Sequence, residues 1–131
     1  MCPISWGSRT FPRPARSALA AEAQAVADAM GEGEAIRLQW EEMSGMDKET
    51  ARLVLVTDSK SLQEACHTEN QLKDKRTAID VAVLRRSGDM SIYSIMLRPG
   101  RSQLADPLTK QGACCERLRQ ALMSGQVDIA F

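Results

Sequence analysis

Apolar positions in this chain recur at helical spacing in one long stretch and run unbroken in one short one. Leu19, Ala23, Val26, Met30, Ile36, Trp40 and Met43 fall mostly three or four residues apart. That period predicts a helix from about residue 18 to 43, with the stripe facing a core. Ser17 stands where an N-cap would. Gly31 and Gly33 weaken the helix locally, by about 1 kcal/mol each relative to alanine, and permit a bend. Leu53 to Val56 is an apolar run rich in β-branched residues. It is too short for a helix and predicts a strand buried on both faces.

Weaker patterns fill in the rest. A helix is expected from about Ser59 to His67, and another from Ala78 to about Arg86 behind a Thr77 cap. Ile79, Ala82 and Val83 would share the apolar face of that second helix. Gly88-Asp89 marks a turn, and Ser91 to Leu97 reads as a strand ended by Pro99-Gly100. Cys2 to Trp6 suits a short edge strand. Pro12 and Pro14 keep their segment from being helical throughout. Asp106-Pro107 reads as an N-cap followed by proline at the first helical position, or as part of a helix begun at Ser102. Cys115, Leu118, Ala121 and Leu122 make an apolar face nearer the end, and Val127 to Phe131 a tail. An apolar strand such as Leu53–Val56 needs more strand partners than this pattern offers.

Two carboxylates break the pattern. Glu22 lies three residues after Leu19 and four before Val26, so it shares their face. A carboxylate there is costly unless paired, protonated, bound to a cation or at the stripe's wet margin. Asp58 follows the buried strand directly, at the end where open α/β sheets place their ligands. Asp58 or Ser59 serves equally well as the cap of the next helix.

Composition changes this picture little. The chain has 131 residues, 44% hydrophobic and 26% charged, which fits one globular domain. Seventeen basic residues balance seventeen acidic ones, so nucleic-acid binding would need a local patch. Lys73, Lys75 and Arg76 form one candidate, and Arg9, Arg13 and Arg16 another. The first is equally a solvated loop, and for the second a solvated loop is the favoured reading. No apolar run is long enough to span a membrane, and the start lacks the pattern of a secretory signal. Four cysteines without a CxxC pair, and a single histidine, argue against zinc. Adjacent Cys114 and Cys115 suit a reduced, intracellular protein. Cys66 and His67 are sequence neighbours, which point apart on a helix.

Three stretches together resemble the ribonuclease H domain that ends copia-type retrotransposon polyproteins. The first is Pro3-Ile-Ser-Trp-Gly-Ser8 leading into Ala15-Arg-Ser-Ala-Leu-Ala-Ala-Glu-Ala-Gln-Ala25. The second is Val56-Thr-Asp-Ser-Lys-Ser61, with Asp74-Lys-Arg-Thr-Ala-Ile-Asp80 behind it. The third, and most specific, is Gln103-Leu-Ala-Asp-Pro-Leu-Thr-Lys110. Order and spacing follow the family from about residue 3 to about residue 123. The resemblance implies an α/β, ribonuclease H-like fold, truncated at the N-terminus, with the first strands of its mixed sheet missing.

It also implies a site. Glu22, Asp58 and Asp106 match three of the family's four catalytic, metal-binding carboxylates. The fourth, on the first strand, has no counterpart in this sequence. Such a cluster holds two Mg²⁺ (or Mn²⁺) ions, which activate a water and stabilise the leaving oxygen. Hard cations prefer these oxygen ligands. The implied substrate is RNA in an RNA–DNA hybrid; the basic residues Lys73, Lys75 and Arg76 would contact its phosphates, or form a solvated loop. The implied partner is an upstream reverse transcriptase segment. With one ligand absent, metal binding is expected to be weak and the isolated chain inactive. The other reading is a non-catalytic, interaction or nucleic-acid-binding remnant of the same fold.

Overall fold

A computed structural model describes residues 5, 7, 10–46, 51–68, 72–89, 93–99, 102–109 and 115–126. The chain divides into two compact units, Phe11–Arg98 and Met1–Thr10 with Pro99–Phe131. The architecture is mixed α/β.

The Phe11–Arg98 unit begins with α1, Ala18–Ser44. The Ser17 hydroxyl accepts from the Ala20 N–H at 3.1 Å, as its position predicts. Gly45, at φ 67°, closes the helix in the left-handed conformation, and its N–H donates to the Glu41 carbonyl. Strand β1, Leu53–Thr57, follows. Then come α2, Lys60–His67, and α3, Lys75–Asp89. Strand β2, Tyr93–Leu97, lies parallel to β1 in a register that sets Leu55 beside Ile95 and Thr57 beside Leu97. A parallel pair needs a crossover, and α2 with α3 supplies it. Among the described residues these two strands are the whole sheet.

The core gathers Ala23, Val26 and Met30 of α1, Leu55 of β1, Leu62 of α2, and Val81 and Leu84 of α3. Leu53 and Ile95 pack against it from the sheet. All the buried residues of β1, Leu55 and Thr57, lie on this face. Val56, on the opposite face, is exposed. The expectation of a strand buried on both faces is therefore corrected: burial alternates as in a sheet covered on one side.

The expected core face of α3 is also corrected. Ile79 is 63% exposed and Val83 44%, whereas Thr77, Val81 and Leu84 are buried. Thr77 can occupy that face because its hydroxyl donates to Asp74 Oδ2 at 2.5 Å. Its backbone N–H donates to the same oxygen at 3.1 Å. Asp74, not Thr77, is the cap, and the helix starts at Lys75. It also runs through Gly88 and Asp89, where a turn was expected. The α1 stripe holds at Ala23, Val26 and Met30 but fails at Trp40 and Met43, which are 50% and 83% exposed. Further along α1, Arg37 is buried and pairs with Glu41 one turn on.

Arg85 ties α3 to the end of α2. Its Nε donates to the Ala65 carbonyl at 3.0 Å, and its Nη2 to the carbonyls of Ala65 and Thr68. Burial pushes the neighbouring Cys66 thiol up, partly offset by the Arg85 charge. Cys66 therefore lacks the depressed pKa of a nucleophile.

The Met1–Thr10 and Pro99–Phe131 unit contains α4, Asp106–Thr109, and α5, Glu116–Ser124. Asp106 is the first residue of α4, with Pro107 second, and the helix does not begin at Ser102. Leu118 and Ala121 of α5 are half-buried, but Leu122 and Cys115 are exposed, so that expected face is only partly formed. The expected edge strand over residues 2–6 lies outside the described residues except at Ser5, and the expected tail lies wholly outside them. Among the described residues no helix is long and apolar enough to cross a membrane.

Candidate functional site

The three carboxylates that the sequence singles out have different surroundings. Glu22 stands on the second turn of α1, half-buried, beside the fully buried Ala23. The buried positions there are Ala20, Ala23, Gln24, Val26 and Met30, so Glu22 sits at the margin of the stripe rather than within it. Asp58 follows β1 and is exposed. It does not cap α2. Ser59 does, accepting from the Leu62 N–H at 3.3 Å, while the Ser59 N–H donates to Thr57 Oγ1 at 3.1 Å. Thus Asp58 stands at the carboxyl end of a parallel strand with its capping role taken by its neighbour. Elements α1 and β1, which carry or precede Glu22 and Asp58, pack against each other. Asp106 belongs to the other unit, half-buried at the start of α4. Among the described residues no group of three or more His, Cys, Asp or Glu side chains is placed to hold a metal ion.

The cationic candidates are better defined. Lys73, Lys75 and Arg76 are all exposed. Arg76 also lines a shallow, open pocket shared with Arg13, Arg16, Gln24, Asp74, Thr77 and Asp80. The start of α1 and the start of α3 both border it. Two helix N-termini add their partial positive charge to three guanidinium groups.

Its two acids are already engaged. Asp80 accepts from Arg13 Nη2 at 3.1 and 3.2 Å. Hydrogen bonds from the Thr77 hydroxyl and N–H hold the Asp74 carboxyl below the usual range, and the Arg16 charge adds to this. Arg16 and Arg76 make no ion pair among the described residues and remain available to an anion. Gln24 is 5% exposed.

The sequence pattern does not single out Gln24, which lies between the stripe positions Ala23 and Val26. Only the packing of α1 against α3 makes its amide part of a pocket with Arg13, Arg16 and Arg76. The signal that existed was the polar residue at a buried helical position.

No protein-family profile, curated protein or solved structure matches this chain.

Proposed function

We propose that this chain is a ribonuclease H-like module derived from a copia-type retroelement, acting within the cell and catalytically incomplete by itself. The observation that carries this reading is Asp58, exposed just past a parallel strand and relieved of capping by Ser59. A metal-binding carboxylate belongs at such a strand end. Glu22 at the margin of a stripe fits the same role better than a residue sealed in a core would. The resemblance would make Asp106, in the other unit, the third such carboxylate. Their oxygen donors suit Mg²⁺ or Mn²⁺, which would supply water activation and stabilisation of the leaving oxygen. With three carboxylates and no fourth, such a metal pair would be weakly held.

The pocket around Gln24 favours the second reading, a nucleic-acid-binding remnant that does not cleave. Arg16 and Arg76 would contact backbone phosphates of an RNA–DNA hybrid there, and the bound phosphate would accept from the Gln24 amide.

One experiment tests both. An end-labelled RNA–DNA hybrid is incubated with the chain in Mg²⁺ and, separately, in Mn²⁺, and binding is followed in parallel. Hybrid binding without cleavage fits the incomplete module. Cleavage that Asp58→Asn abolishes restores the nuclease. Neither binding nor cleavage removes both readings.

A further inference from the structure

The buried apolar residues of α1 stop at Met30, yet the helix runs on to Ser44. In that second half Glu32, Ala35, Gln39 and Glu42 are all exposed. They follow the spacing i, i+3, i+7, i+10, which aligns them in one stripe. On α3, Arg76, Ile79, Val83 and Arg86 follow the same spacing and are also all exposed. Each stripe spans about 15 Å at 1.5 Å per residue, and each turns through the same angle. One has an acid at both ends, the other an arginine at both ends. Between the acids lie the small Ala35 and the polar Gln39, bordered by Leu38 and Met43, which are 44% and 83% exposed. Between the arginines lie Ile79 and Val83, 63% and 44% exposed.

We propose that the acidic stripe of α1 on one copy docks on the arginine-ended stripe of α3 on a second copy. Ile79 and Val83 would seat against Ala35, with Leu38 and Met43 closing the sides. The charges select this occupant. Two α3 stripes repel each other, as do two α1 stripes, so neither face pairs with its own kind. Because each copy carries both stripes, the contact is head-to-tail and can continue beyond two copies. Its area is small, so the association is weak and sensitive to salt.

Sedimentation of the full chain, without nucleic acid, tests this. At low salt the weight-average mass should rise above 14.4 kDa as concentration increases towards several hundred micromolar. Raising salt to roughly 0.5 M should weaken association several-fold, by screening. Two reversed variants follow, Arg76→Glu with Arg86→Glu, and Glu32→Arg with Glu42→Arg. All four positions are exposed, and circular dichroism checks that each variant keeps its helices. Each alone should stay at monomer mass, and an equimolar mixture should associate again, since the faces then match between variants. A wild-type mass fixed at the monomer value across the range overturns the proposal. So does association that salt and the reversed variants leave intact, or a folded pair of variants whose mixture stays monomeric. Should a reversed variant unfold, the concentration and salt dependence of the wild-type chain decides alone.

Discussion

Asp58 and Leu62 lie four residues apart and answer to different physics. Leu62 is fully buried among residues of α1, α2, α3 and β1. Leu62→Ala removes its contacts and leaves a cavity, for an expected loss of about 3 kcal/mol in a denaturant titration. Asp58 is exposed, and Ser59 does the capping. Asp58→Asn should therefore change stability by less than about 0.5 kcal/mol. A larger loss would mean that the carboxylate has a structural role. Asp74 gives a prediction in pH. Its folded pKa is held below the usual carboxylate value, chiefly by the Thr77 hydroxyl and N–H. Its contribution is thus fully present above the unfolded pKa, and is lost as pH falls through that value towards the folded one. Wild-type thermal midpoints should fall between about pH 5 and pH 3. Asp74→Asn should start lower at neutral pH and flatten that descent. An unchanged slope would show that Asp74 titrates alike in both states.

At the scale of elements, the two glycines inside α1 separate propensity from packing. A Cβ added at Gly31 meets nothing within 4 Å. Gly31→Ala should raise stability by up to about 1 kcal/mol, through helix propensity alone. A Cβ at Gly33 would come within 2.8 Å of Leu53 Cδ1 and 3.1 Å of its Cδ2. The Leu53 side chain must shift before the same gain appears, so Gly33→Ala should be clearly the less stable of the two in matched urea titrations. Equal gains would mean that Leu53 moves at no cost. The elements themselves were readable from period and caps. Ser17, the stripe through Met30, the Leu53–Val56 run and Ser59 all stand close to where local rules put them. The faces were less so. Thr77 was read as a cap because hydroxyl residues usually stay at helix ends. The Asp74 carboxylate satisfies that hydroxyl internally, which lets Thr77, Val81 and Leu84 turn inward and Ile79 and Val83 outward. Local periodicity carries no trace of such a tertiary choice.

At the scale of the molecule, balanced net charge hides where the charge sits. The counts exclude a uniformly basic surface but not a pocket lined by Arg16, Arg76 and Gln24. That pocket was illegible in sequence because its residues lie some fifty positions apart, whereas Asp58 was legible from its place after an apolar run. The distinction can be measured. If Arg16 and Arg76 each neutralise one phosphate, hybrid affinity should fall steeply with salt. Each replacement, Arg16→Gln or Arg76→Gln, should then reduce the slope of log affinity against log salt by about 1. Sequence-independent contacts of this kind support dissociation constants on the order of 10⁻⁴ to 10⁻⁶ M. Gln24→Leu should act differently. It removes a neutral donor, so it should weaken binding at every salt concentration and leave the slope unchanged. Binding that keeps its full slope in both arginine variants would move the contact to Lys73 and Lys75, or off this surface altogether.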